Sequence, residues 1–139
     1  MAGVLAGLVL LGPGVAAAGP AVKTGLYKGK TTQQAVTDSF RSIKFKVKKG
    51  RVTLTAEPSV AREDCVSTSV FTQDGNPSQR LGRNRTFTFT RTFFGRKVDK
   101  IHGRFIAPDE VQGYAIYHFF AQDLCSRGRA KVNFTAKHK

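Results

Sequence analysis

Past Thr24 this 139-residue chain has no long segment of helical period, which excludes a helical bundle and leaves short strands as the material of the fold. Cysteine is limited to Cys65 and Cys125. The three histidines, His102, His118 and His138, lie far apart, so the short ligand spacings of a metal site are missing and neither a metal nor another cofactor is expected. Carboxylates are scarce, at nine Asp plus Glu. They pair at Glu63-Asp64 and Asp109-Glu110, but neighbours on a strand point opposite ways and cannot share one substrate. There is no Gly-x-Ser-x-Gly nucleophile elbow, and His118 with Asp123 nearby is the one other acid-base candidate. An enzyme is therefore the reading these residues support least. Gly25 to Thr31 ends in Gly-Lys-Thr, yet only Leu26, Tyr27 and Lys28 separate Gly25 from Gly29 and no helix follows, so a phosphate-binding loop fails on spacing.

What is present reads as an all-β domain. Two-residue alternation is clearest at the C-terminal end, where Ala130, Val132, Phe134 and Ala136 share one parity and Lys131, Asn133, Thr135 and Lys137 the other, the pattern of a strand with one buried face. Ile43, Phe45 and Val47 alternate with Lys44, Lys46 and Lys48, and Lys49-Gly50 turns the chain into Val52 and Leu54, a hairpin signature. Further strands are expected at Gly25 to Thr31, Val60 to Thr72, Thr86 to Phe93, Val98 to Ile106 and Val111 to Phe120, with Gln73 to Arg83 as the longest loop. About eight strands with short connections predict a single antiparallel meander folded as a barrel-like sandwich, the first strand pairing with the last.

The first 18 residues read as a secretory signal peptide, an apolar core from Val4 to Leu11 followed by Ala16-Ala17-Ala18, without a positive n-region. Residues 19–139 then form a single β domain in an exported chain with no membrane anchor after cleavage. An oxidising compartment suits a Cys65–Cys125 disulfide, whose loop of about 60 residues would contribute roughly 4 kcal/mol in the chain-entropy model.

The strings Gly25-Leu-Tyr27-Lys-Gly29-Lys-Thr31-Thr32, Ile43/Phe45/Val47-x-x-Gly50-x-Val52, Ile101-x-Gly103-x-Phe105, Gly113, and Cys125-x-x-Gly128 running to Phe134-x-Ala136, with Cys65, resemble a group of small exported β-rich domains of high-GC Gram-positive bacteria. The resemblance spans nearly the whole mature chain. It implies the β fold and the disulfide but no catalytic residues. Gln33-Gln34-Ala35 departs from the glycine-containing turn expected there.

Charge carries the functional expectation. Against nine acidic residues stand 23 Lys plus Arg, for a formal net charge of +14, which favours polyanions as partners. Arg41, Lys44, Lys46, Lys48, Lys49 and Arg51 crowd the hairpin, and Lys44, Lys46 and Lys48 must leave it on one side. Arg80, Arg83 and Arg85 form a second cluster, while Lys23, Lys137 and Lys139 count as charges distant from the hairpin. The reading is an exported binding or structural module whose basic face takes anionic cell-envelope polymers or polysaccharide, without specific nucleic-acid recognition. Its alternatives are protection of strand edges by charge and a barrel holding a small apolar ligand against Tyr114, Tyr117, Phe119 and Phe120.

Overall fold

The computed structural model describes residues 21–33, 41–62, 65–66, 71–73, 75–93, 95–119 and 128–139. The expected leader lies outside them. The strands are β1 (Gly25–Thr31), β2 (Ser42–Lys48), β3 (Arg51–Ala56), β4 (Ala61–Arg62), β5 (Cys65–Val66), β6 (Ser78–Arg80), β7 (Thr86–Phe93), β8 (Arg96–Ala107), β9 (Glu110–Phe119) and β10 (Gly128–His138). Eight of them form one antiparallel sheet in the order β6-β3-β2-β1-β10-β9-β8-β7, while β4 pairs with β5 alone.

Alternation builds each strand. On β2, Ile43, Phe45 and Val47 are buried while Lys46 and Lys48 are exposed. Lys49 and Gly50 follow with φ of 51° and 72°, the two positive values of a type I′ turn, whose twist matches that of the flanking strands. Lys48 therefore faces Arg51 and Val47 faces Val52. At the other end of the chain Val132, Phe134 and Ala136 are buried on β10, and β10 pairs with β1 from Thr31↔Phe134 to Tyr27↔His138. First and last long strands thus join as expected. The sheet stays open only between its two edge strands, β6 and β7, where Gly82 N–H donates to the Thr86 carbonyl at 2.8 Å; Leu81 N–H donates to the Gly50 carbonyl, also at 2.8 Å, and extends the β3–β6 pairing. The result is an all-β, nearly closed barrel-like sheet.

Its interior is a stack of rings. Tyr27 lies on Phe45 at 5.3 Å and 11°, and Phe105 meets Tyr27 edge-on at 5.3 Å and 84°, both favoured aromatic geometries. Phe87 joins Phe45, Phe89 and Phe105 within 6.0 Å. Two facing glycines make room for these rings: Gly103 pairs with Gly113 across β8 and β9. A Cβ on Gly103 would stand 2.3 Å from Phe87 Cζ, and one on Gly113 2.0 Å from the His102 carbonyl oxygen and 2.6 Å from Phe134 Cζ.

One expected strand is replaced. Residues 60–72 do not run as a single strand, because Ala61↔Val66 and Arg62↔Cys65 pair antiparallel with each other. The eighth strand of the sheet is instead β6, inside the segment expected as the longest loop, with Arg51↔Arg80 and Thr53↔Ser78 in register. The expected disulfide lies outside the described residues, since Cys65 contributes backbone to β5 and Cys125 is not among them.

Candidate functional site

Register turns the lysine ladder of one hairpin into a face. On the outer parity, Lys28 of β1 stands opposite Lys44 of β2 and also opposite Lys137 of β10, so three lysines cross three strands in one row. A second row runs Lys48, Arg51, Arg80 across β2, β3 and β6. Lys46 lies between the rows on β2, and Lys30 continues β1 on the same exposed parity. None of the five adjacent strands β6, β3, β2, β1 and β10 contains an acidic residue. Glu110, opposite Lys137, marks the border with β9.

The sequence candidates separate accordingly. Lys44, Lys46, Lys48 and Arg51 lie in the face, and Lys49 occupies the turn at its margin. Arg41 sits on the opposite parity, half-buried, its Nε–H donating to the Thr31 carbonyl at 3.1 Å. Lys137 is not distant from the hairpin: the β1–β10 pairing sets it two strands from Lys44. The two arginine clusters also meet, because Arg80 faces Arg51.

The aromatics considered for an apolar ligand divide between the two sides of the sheet. Tyr117 and Phe119 are buried. Tyr114 faces outward, its ring tilted at 34° against His102 with centroids 5.4 Å apart, and is covered by Lys131 Nζ at 4.5 Å and Lys100 Nζ at 5.7 Å, which is cation–π geometry. Phe120 lies outside the described residues. Burial, and then the charge of Lys100, depress the His102 pKa below the usual imidazole range.

The inner acid-base groups have structural work. Tyr117 O–H donates to Glu57 Oε2 at 2.8 Å and lies 3.1 Å from the Pro58 carbonyl. Glu57 Oε1 accepts the backbone N–H of Phe71 at 2.7 Å and of Thr72 at 2.9 Å, and the Thr72 hydroxyl at 3.1 Å. One carboxylate thereby ties the segment crossing from β3 towards β6 to the barrel wall. Burial first, then the charge of Glu57, push the Tyr117 phenol well above its ordinary pKa. The candidate partner Asp123 lies outside the described residues; His118 meets Asp99, whose Oδ1 accepts the His118 backbone N–H at 2.9 Å and stands 3.8 Å from His118 Nδ1. Asp99 and Glu57 carried no sequence signal, since each is a lone carboxylate whose partners are distant in the chain. Among the described residues no three His, Cys, Asp or Glu side chains gather as a metal-holding group.

A cleft of about 440 Å³ opens between the β6–β7 connection and β8, lined by Arg83, Asn84, Arg85, Arg104, Phe105 and Ile106. Arg85 holds a φ of 59°, a left-handed conformation costing a non-glycine residue about 1–2 kcal/mol. Two hydrogen bonds fix it there, from Arg85 N–H to the Gly82 carbonyl at 3.0 Å and from Phe105 N–H to the Arg85 carbonyl at 2.9 Å.

Fold and surface define the class: a small, nearly closed β-barrel-like domain with an aromatic interior and a cationic outside. This polarity is the reverse of a membrane-spanning barrel, which turns its apolar face outward. Compared with protein-family models, curated proteins and solved structures, the chain finds no match among any of them.

Proposed function

We propose that the domain is an exported binding module that holds anionic cell-envelope polymers or polysaccharide on the outer face of β6-β3-β2-β1-β10. The observation that carries this reading is the pair of cross-strand cation rows on strands without a single acidic residue. Like charges directly opposite each other destabilise a sheet, by about 0.2–1 kcal/mol per pair, so folding alone does not favour the rows. Protection of edges accounts for charge on β6 or β7 but not on β1 and β2, which have neighbours on both sides. Strands stand about 4.8 Å apart and like-facing residues about 6.7 Å apart along a strand. Both spacings are shorter than the Debye length of about 8 Å at physiological ionic strength, and the potentials of neighbouring cations add. The apolar leader in the sequence supports a setting where such polymers occur.

The test is retention on heparin or teichoic-acid resin, which should collapse between physiological salt and 1 M, where the Debye length falls to about 3 Å. The variant K28Q/K44Q breaks the first row. R91Q/K100Q removes two charges from β7 and β8, on the other side of the barrel, and matches it in net charge. Earlier elution of K28Q/K44Q is expected. Equal elution of the two would reduce the effect to net charge and overturn the face as a site.

A further inference from the structure

The cleft between the β6–β7 connection and β8 differs in kind from the lysine face. Its cations are all arginines, Arg83, Arg85 and Arg104, and a guanidinium presents a planar fork that matches phosphate oxygens two at a time, whereas a lysine acts as a point charge. One wall is apolar. Ile106, next to Arg104 on the outward parity of β8, is 50% exposed, the exposed large hydrophobic side chain among the described residues, while the Phe105 ring between them points into the core. A volume of about 440 Å³ exceeds what a bare phosphate fills and falls in the range of small-molecule pockets. The loop carrying Arg83 and Arg85 is held in advance of any ligand, by the bonds of Gly82 N–H to Thr86, Arg85 N–H to Gly82 and Phe105 N–H to Arg85, so little ordering cost remains for binding. Arg85 keeps a backbone conformation that glycine would hold without penalty, and residues held in such conformations concentrate at ligand clamps.

We propose that this cleft is a binding site for a phosphomonoester, its dianion held by Arg83, Arg85 and Arg104 and its organic body resting on Ile106. The site does not rest on the polymer-binding reading. A small phosphorylated molecule and the terminal phosphate of a polymer present the same chemistry, and both are taken.

Binding of phenyl phosphate and of inorganic phosphate to the intact protein is followed by amide chemical shifts at constant ionic strength. Shifts should concentrate at residues 82–86 and 104–106, and phenyl phosphate should bind several-fold more tightly than inorganic phosphate because only it reaches Ile106. R104K preserves net charge yet should weaken phenyl phosphate binding about tenfold while leaving heparin retention unchanged. R85G guards against a folding artefact: it removes the guanidinium and relieves the backbone, so it should be at least as stable as the parent and still bind about tenfold more weakly. K28Q/K44Q should bind phenyl phosphate like the parent even where its heparin retention falls. A long-chain polyphosphate that displaces phenyl phosphate identifies polymer ends as a source, and failure to displace it identifies the small molecule. Shifts spread over β1 and β2, or R104K and R85G variants that bind like the parent, would overturn the proposal.

Discussion

Removing the Glu57 carboxylate should loosen the barrel at one defined place. In Glu57→Ala the Phe71 and Thr72 amides lose acceptors now 2.7 and 2.9 Å away. Tyr117 keeps the Pro58 carbonyl at 3.1 Å, and the Thr72 hydroxyl can turn to water, so the two amides dominate the cost. A donor left unsatisfied costs about 1–3 kcal/mol, and because Phe71 and Thr72 are only half-buried the lower part of that range applies to each. The expected loss is about 2–4 kcal/mol. Glu57→Gln is the informative comparison. Its carbonyl can still accept both amides, and its NH₂ can donate to the Tyr117 oxygen while the phenol donates to Pro58, so its cost should stay near 1 kcal/mol, that of one ordinary hydrogen bond. With no tryptophan in the chain, urea unfolding is followed by far-UV circular dichroism and the free energies compared at equal slope. Hydrogen exchange should localise the effect, since the Phe71 and Thr72 amides should lose protection in Glu57→Ala first. A Glu57→Ala protein within about 0.5 kcal/mol of the parent, smaller than the cost of one buried unsatisfied donor, would refute this account. So would a Glu57→Gln protein as unstable as Glu57→Ala.

K28Q/K44Q should be slightly more stable than the parent at low salt, by about 0.2–1 kcal/mol per like-charge contact removed, and denaturant unfolding at two salt concentrations checks that the gain shrinks as screening rises. Burial, with a smaller push from Asp109, raises the Tyr27 phenol pKa to about 12. The folded state therefore keeps a proton that the unfolded state sheds near its ordinary value of about 10, so Tyr27's contribution is full below pH 10 and lost as pH climbs to about 12. Alkaline unfolding of the parent should be steeper over that window than that of Tyr27→Phe, and parallel curves would contradict the linkage. Gly113→Ala puts a Cβ 2.0 Å from the His102 carbonyl oxygen, and thermal unfolding should register about 3 kcal/mol of overpacking. A melting temperature equal to the parent's would show that β8 and β9 can separate there without cost.

The parts of the fold legible in the sequence are those where one strand carries its own pattern. Ile43, Phe45 and Val47 against Lys44, Lys46 and Lys48 define β2 without help from any neighbour, and Lys49-Gly50 fixes the register of the hairpin because two positive φ values admit one kind of turn. Phe134 and Ala136 define the buried face of β10 in the same way. β6 has nothing of this kind. Ser78, Gln79 and Arg80 show no apolar period, and they become a strand because Arg51 and Thr53 offer an edge to pair with. Residues 60–72 fail in the opposite sense, since Val66, Val70 and Phe71 supply strand-like residues while Glu57 claims the amides of Phe71 and Thr72.

The functional face shows the same division between parity and register. Parity alone says that Lys28, Lys44 and Lys137 all point outward, because each neighbours a buried residue on its own strand. Which of them stand together depends on the offset between β1 and β10, strands separated by almost the whole chain, and a shift of two residues would preserve every buried side chain of β10 while moving Lys137 away from Lys28. Gly29 limits that freedom. Its missing Cβ would lie 2.0 Å from the Thr135 carbonyl oxygen and 2.6 Å from Ala136 Cα, so β10 crosses β1 too closely at Gly29 for β1 to carry a side chain there. Sliding β10 by two residues would take Ala136 out of that contact and bring larger neighbours, Phe134 or His138, into it. The same close approach that fixes the barrel's closure therefore sets Lys137 opposite Lys28, one residue before Gly29, and completes the row of cations as a consequence of core packing.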